Sequence, residues 1–251
     1  MKTIIVFLIL SVLASPSTSF AQVSIADGTV LPLQLNSRLN TRKSKPGEEI
    51  SARIMQDVPL SQGQKIRKGA KVVGHVVTVK EPKAGEPAEM TLRFDRLEFA
   101  HRSIPMSTSL RVLASAAEVE EAQVPAAATD RGTPWAWVTR NLIGGEVAYG
   151  EGGPVARGTE IIGKSLADGV LIPAEANPAN RCRGEVAANA GPQAFWVFSS
   201  DACGAYGIAD LEIIHAGRSN PLGEIILASR NGELNIRSGS GMLLRVNGVS
   251  R

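Results

Sequence analysis

The sequence predicts a mainly β protein, an antiparallel barrel or sandwich of short strands with an insertion rich in Gly, Pro and Ala. In residues 50–54 apolar side chains alternate with polar ones, which is the period of a half-buried strand. Residues 71–79, KVVGHVVTV, are rich in β-branched side chains, as buried strands are. Turn residues such as Pro46 and Gly47 separate these runs, because Pro fixes φ and Gly accepts a positive φ.

Two local irregularities are expected in the first half of the chain. Gly74 lies within the run 71–79 and marks either a β-bulge or a close approach of two backbones. In residues 90–99, MTLRFDRLEF, the apolar positions change phase between Phe94 and Leu97. A strand needs one extra residue for such a change, so we expect a β-bulge near Asp95 and Arg96. Residues 101–112 predict one further strand.

The middle of the chain has a different composition. Residues 114–123 are rich in Ala and Glu and favour a short helix. Pro125, a run of alanines and the glycines of 144–154 follow, so residues 114–158 are predicted to be a flexible, partly helical insertion. It either loops out of one domain or separates two lobes, a barrel-like part at 22–113 and a β-rich part at 159–251.

Strands are expected to resume after the insertion, near 161 and at 170–172, 193–198 and 210–214. The last three runs, GEIILAS, GELNIRS and GMLLRV, predict a terminal three-stranded meander. Asn231 and Gly232 lie between the first two runs and favour a type I′ hairpin turn. Residues 238–241, SGSG, would make the next reversal.

Residues 1–21 have the pattern of a cleavable signal peptide. Lys2 supplies a positive charge, residues 4–14 are apolar except for Ser11, and Ser19-Phe20-Ala21 is a small-x-small cleavage site. The apolar run is too short to cross a bilayer, which takes about 20 residues. The mature chain is therefore expected to start at Gln22, in the periplasm or outside the cell, with no transmembrane segment. About 230 residues remain, enough for one large β domain or two smaller ones.

The charge pattern does not favour nucleic-acid binding. The formal net charge is only +3, and the basic residues are dispersed along the chain rather than gathered in one run. Two small basic groups lie beside turns, where solvated charge normally collects. They are Arg38, Arg42, Lys43 and Lys45, and Lys65, Arg67 and Lys68.

The two cysteines, Cys182 and Cys203, favour a disulfide, because the signal peptide directs the chain to an oxidising compartment. Free thiols, a metal site and a catalytic thiol are the alternatives. A metal site is disfavoured because neither cysteine has a CxxC partner and the three histidines are scattered. We therefore expect no metal and no cofactor.

Residues 28–106 resemble the β-barrel domain of conjugation-type (type IV) secretion channel proteins, the TrbI-like family, and similar exported bacterial proteins of unassigned function. The resemblance is carried by GTVLPLQLNSRLNT, PGEEISARIMQDV, IRKGAKVVGHV and MTLRFDRLEF, with an exit at Ile104-Pro105. It implies a barrel and an envelope setting, and it transfers no catalytic residue. Those channel proteins have a transmembrane helix and a Pro-rich linker before the barrel, whereas here the barrel-like segment begins soon after the cleavage site.

Catalytic motifs do not stand out. GxSxG, HExxH, the P-loop and the dinucleotide fingerprint are all absent from the sequence. Asp210 and Glu212 would share one face of a strand, as the two carboxylates of a glycosidase must converge on a sugar, but a solvated strand face explains them more simply. A hydrolase would bring two of four carboxylates around one cleft. These are Glu185, Asp201, Asp210 and Glu212.

Aromatic residues are the remaining candidates for a binding surface. Trp135 and Trp137 would lie on one face of an extended segment and could contact a partner or ligand, although core positions are the alternative. We expect an exported, non-enzymatic envelope or secreted protein that acts by binding or assembly, with an envelope protein or a glycan as partner. The alternative is a carbohydrate-active hydrolase or a glycan-binding protein.

Overall fold

The computed structural model confirms a mainly β fold. It describes residues 25–60, 64–99, 102–124, 139–149, 153–164, 196–199, 202–218 and 220–247. The elements of these residues, in chain order, are β1 (Val30–Leu35), β2 (Leu39–Asn40), β3 (Glu49–Ile54), β4 (Val58–Pro59), β5 (Lys65–Ile66), β6 (Lys71–Lys80), β7 (Ala88–Phe99), β8 (Arg102–Pro105), β9 (Thr108–Ala114), α1 (Ala116–Gln123), β10 (Thr139–Asn141), β11 (Glu146–Tyr149), β12 (Pro154–Arg157), β13 (Glu160–Lys164), β14 (Gly204–Tyr206), β15 (Leu211–Ile214), β16 (Ile225–Ser229), β17 (Asn235–Ile236) and β18 (Gly241–Val246).

The main sheet curls into a nearly closed barrel. Its strands follow the order β14-β9-β18-β1-β3-β6-β7-β16-β15, and β8 adds to β7. The two end strands, β14 and β15, lie beside each other. All its pairs are antiparallel except β14 with β9. Buried side chains from these strands form one core, whose largest members include Phe94, Leu31, Leu33 and Ile50.

Distant parts of the chain meet in this barrel. β1 pairs with β18, so Val30 lies opposite Arg245, and β7 pairs with β16, so Ala88 lies opposite Ser229. A second sheet, β10-β11-β12-β13, has its own small core of Leu142, Ala148 and Val155. The proposed domain boundaries at 113 and 158 stay a prediction.

The local patterns in β3 and at the β6–β7 bulge are confirmed. Ile50, Ala52 and Ile54 are buried, whereas the residues between them are partly or fully exposed. Gly47 has a φ of 84°, as the turn before β3 requires. Register with β6 is interrupted at the place where the apolar phase changes, since Val73 pairs with Arg96 but Gly74 pairs with Phe94. Asp95 is therefore the extra residue of a β-bulge.

Other strand predictions need correction. β6 is buried only in its first half, because from Val77 onward its residues are partly or fully exposed. The run 101–112 is two strands, β8 and β9, because the chain turns away from β7 after Pro105. β15 begins at Leu211, and Asp210 before it has a φ of 60°.

The prediction of a terminal three-stranded meander is wrong. β16 pairs with β7 and β15, β17 pairs with β2, and β18 pairs with β1 and β9. Gly232 has a positive φ of 92°, but Asn231 does not have one, so the turn is not type I′. Local patterning located these strands but not their partners, because pairing in a barrel depends on residues far away in the sequence.

The predicted helix is α1, and it packs against the barrel. Ser115 caps it, with its hydroxyl accepting a hydrogen bond from the Glu118 N–H at 3.2 Å. Val119 is buried and Phe198 is fully buried, and both lie so near β18 that a Cβ at Gly241 would be 2.7 Å from Val119 and 2.9 Å from Phe198. Within the described ranges, no helix combines the length and the apolar composition that crossing a bilayer requires.

Candidate binding pocket at one end of the barrel

Three loops surround a pocket at the end of the barrel where β6 and β16 end and β7 begins. They are residues 41–44, 81–87 and 230–233. The pocket has a volume of about 550 Å³, within the range of about 300–1,000 Å³ typical of ligand sites. We call it the loop pocket; its lining residues are Arg42, Pro82, Lys83, Gly85, Glu86, Pro87, Arg230, Asn231 and Gly232.

The first loop is held by the side chain and backbone of Asn40. The Asn40 side-chain oxygen accepts a hydrogen bond from the Arg42 N–H at 2.9 Å, and its carbonyl accepts one from the Ser44 N–H at 2.8 Å. Asn40 is itself buried. An Asn side chain that accepts a hydrogen bond from the backbone N–H two residues later favours a tight turn. The backbone of Arg42 is therefore held in place by Asn40.

The second loop is the connection between β6 and β7. The Lys83 carbonyl accepts a hydrogen bond from the Glu86 N–H at 3.0 Å, and Gly85 has a φ of 80°. Glycine is favoured at the third position of such a four-residue turn because other residues rarely adopt a positive φ. Pro82 and Pro87 flank the turn and restrict the backbone on both sides.

The third loop reaches the pocket because of pairings in the barrel. Ser229 lies opposite Ala88 of β7 on one side and Leu211 of β15 on the other. The loop then runs to Leu234, whose carbonyl accepts a hydrogen bond from the Thr41 N–H at 3.1 Å. The Leu234 N–H donates a hydrogen bond to the Thr41 hydroxyl at 3.1 Å. The third loop is therefore tied to the first, and its start is tied to the second.

Positive charge predominates in the lining. The described lining residues include three cations, Arg42, Lys83 and Arg230, and one carboxylate, that of Glu86. The Glu86 carboxylate lies 3.4 Å from the Lys80 ammonium. Lys83 forms no ion pair with any carboxylate in the described part of the chain. Such an arrangement favours a negatively charged group inside the pocket.

Both arginines are partly engaged outside the lining. Arg42 Nε lies 3.1 Å from a Glu233 carboxylate oxygen, and Arg230 Nη2 lies 3.1 Å from one of Glu212. The side chains of Arg42 and Arg230 remain 65% and 73% exposed. A guanidinium carries five N–H donors, so each arginine keeps donors for a further acceptor.

Most residues singled out from the sequence lie elsewhere. Trp135, Trp137 and Cys182 lie outside the described residues, so the Trp surface and the Cys182–Cys203 disulfide stay predictions. Cys203 is half-buried, and its N–H donates to the Tyr206 hydroxyl at 3.2 Å.

The carboxylates considered for a hydrolase are only partly described. Glu185 and Asp201 lie outside the described residues. Asp210 precedes β15 and is not part of it, so strand alternation does not place it on the face of Glu212. The backbone carbonyl of Asp210 accepts a hydrogen bond from the Arg230 backbone N–H at 3.1 Å. Among the described residues, no group of three His, Cys, Asp or Glu could hold a metal ion.

Two of the basic turn residues form an ion cluster away from the pocket. Lys65 Nζ lies 2.6 Å from Asp57, and Arg67 lies 3.7 Å from it. The hydrogen bond from Lys65, and next that from the Lys68 N–H, hold the pKa of Asp57 below its usual value. Sequence patterning grouped Arg42 with such solvated turns and did not single out Lys83 or Arg230, because their convergence arises only from the pairing of distant strands.

Comparisons with known proteins give a limited result. No family model matches the chain, and no curated protein matches it. Among solved structures, the chain is similar to ComB10 of the Com type IV secretion system of Helicobacter pylori, with 16% sequence identity and a TM-score of 0.30. The match covers 89% of this chain and 87% of that one.

Proposed function

We propose that the mature chain is an exported, non-enzymatic envelope protein that acts by binding, with the barrel as its scaffold and the loop pocket as its binding site. The observation that carries the proposal is the convergence of three loops on one pocket. Binding residues are commonly found on loops that a rigid sheet positions. Here the three loops also bond to one another or to neighbouring strands, so the pocket is formed before a ligand arrives.

The anchoring of the loops supports a binding role over a passive surface. The first and third loops share the Thr41–Leu234 hydrogen bonds and the β2–β17 pairing. The second loop belongs to the β6–β7 hairpin, which is paired along most of its length. A preformed site loses little conformational entropy when it binds.

The envelope setting is supported by the signal-peptide pattern of residues 1–21 and by the resemblance of residues 28–106 to TrbI-like barrels. Both are features of the sequence, and an envelope protein or a glycan remains the expected class of partner. Cell fractionation tests the setting: the processed chain, starting at Gln22, should be recovered with periplasmic or secreted proteins. Recovery of the full-length chain in the cytoplasm would contradict it.

Site-specific photo-cross-linking in cells tests the binding role. A photoreactive amino acid at Ala84, in the exposed turn beside Lys83, should give a discrete adduct of higher mass. Ala117 provides a matched control because it is also an exposed alanine but lies on α1. An adduct specific to position 84, identified by mass spectrometry, is the expected result. No adduct, or equal adducts at both positions, would contradict the proposal.

A further inference from the structure

The described residues that line the loop pocket include more cations than carboxylates. Three cationic residues line it, and each belongs to a different loop: Arg42, Lys83 and Arg230. The one carboxylate among the described lining residues, Glu86, lies 3.4 Å from the Lys80 ammonium. Because Arg42 is paired with Glu233 and Arg230 with Glu212, the unbalanced positive charge is that of Lys83, and the two arginines offer their remaining N–H donors to a negatively charged ligand.

These cations retain donors that can bind. Arg42 contacts Glu233 through Nε, and Arg230 contacts Glu212 through Nη2. Neither Glu233 nor Glu212 is part of the lining. Lys83 contributes an ammonium that no described carboxylate neutralises. Arginine and lysine are the side chains that proteins use to bind phosphate and carboxylate groups.

The volume of the loop pocket and its uncharged and acidic lining residues indicate a ligand larger than a simple inorganic ion. The volume of about 550 Å³ is in the range of sites for small organic ligands. Asn231 supplies an amide, and Glu86 supplies a carboxylate that accepts hydrogen bonds from hydroxyl groups. Polar groups of this kind suit a hydroxylated ligand body next to an anionic group.

We propose that the loop pocket binds a sugar-sized ligand that carries a phosphate or carboxylate group, with Arg42, Lys83 and Arg230 holding the anionic group. This inference rests on the proposed binding function and specifies its ligand chemistry. Asn231 and Glu86 bind the hydroxyl groups. Because the cations are exposed, binding weakens as salt concentration rises.

Isothermal titration of the purified mature chain with four probes tests this inference. The probes are glucose 1-phosphate, glucuronic acid, neutral glucose and inorganic phosphate. We expect glucose 1-phosphate, glucuronic acid or both to bind, and which of them does distinguishes phosphate from carboxylate as the group held. Glucose and inorganic phosphate should each bind at least about tenfold more weakly than the tighter of these two.

Charge-neutralising variants locate the site. Lys83→Gln and Arg230→Gln should each weaken binding about tenfold or more. Lys43→Gln is the matched control, because Lys43 is exposed on the first loop but does not line the pocket, and it should leave affinity within about twofold. Lys83 is exposed and has no ion pair with a carboxylate of the described residues, so its variant removes a pocket charge without breaking a described contact.

Several results would overturn the inference. One is the failure of both glucose 1-phosphate and glucuronic acid to bind, and another is binding of glucose as tight as that of its phosphate. If inorganic phosphate bound as tightly as glucose 1-phosphate, the proposal of a sugar-sized ligand would be overturned. If Lys43→Gln weakened binding as much as Lys83→Gln, the proposed location of the site would be overturned. Cross-linking at Ala84 in cells together with failure of both anionic probes would reject this ligand chemistry while leaving the binding function in place.

Discussion

Replacement of Gly74 by alanine is expected to destabilise the barrel strongly. A Cβ at this residue would lie 2.0 Å from the Arg93 carbonyl oxygen and 2.8 Å from the Phe94 Cα. Both are backbone atoms of the paired strand β7, so the contact with the Arg93 oxygen would have to lengthen by roughly 1.4 Å or more to become an ordinary one. Overpacking costs about 1–3 kcal/mol, and we expect the upper end because backbone must move.

One compensating effect reduces this cost. Glycine within a strand is less favourable than alanine by about 0.5–1 kcal/mol, because glycine loses more conformational entropy on folding. The expected net loss for Gly74→Ala is therefore about 2 kcal/mol in the free energy of unfolding. For a chain of this size, that lowers the Tm by about 4–8 °C.

Thermal unfolding followed by circular dichroism measures this loss. Thr78→Ala is the control, since Thr78 is exposed on the same strand, and its Tm should change by no more than about 2 °C. A Gly74→Ala variant that unfolds at the temperature of the unmodified protein would refute the close approach of β6 and β7.

Three other predictions concern single contacts. Asp57→Asn removes the partner of Lys65 and should lower stability at neutral pH by up to about 1 kcal/mol. Because the folded-state pKa of Asp57 is lowered, the difference should vanish as the pH falls below about 4, through the lowered pKa; a difference in urea unfolding that persists in acid would contradict this. Ser115→Ala should lower the Tm by about 2–4 °C through loss of the helix cap, and an unchanged Tm would show that the cap is dispensable. Mass spectrometry of the non-reduced mature chain should show Cys182 linked to Cys203, with the mass lowered by two hydrogens, whereas two alkylatable thiols would exclude the bridge.

Features that depend on neighbouring residues could be predicted from the sequence. The phase change between Phe94 and Leu97 predicted the bulge at Asp95, because side chains in a strand alternate strictly and an extra residue must correct the phase. The Ala- and Glu-rich composition of residues 114–123 likewise predicted α1, which the structure places at Ala116–Gln123.

Features that depend on distant residues could not be predicted. β16, β17 and β18 follow one another in sequence, and short turns between strands favour a meander, yet each pairs with a strand from the first half of the chain. The loop pocket has the same origin. Arg42, Lys83 and Arg230 are ordinary turn cations in the sequence, and only the pairing of β2 with β17 and of β7 with β16 brings them together.

The position of β1 between β3 and β18 has a consequence for folding kinetics. Gln34 of β1 donates a hydrogen bond to the Gly239 carbonyl across 205 positions of sequence. Contacts of such long range slow folding, because a large loop must close before they form. During synthesis β1 and β9 are made before β18, which pairs with both of them. Until then the strand edges that β18 covers are exposed and can pair with other chains. We therefore expect fragments that end before Gly241 to aggregate, and the last strand to limit the rate at which the barrel closes.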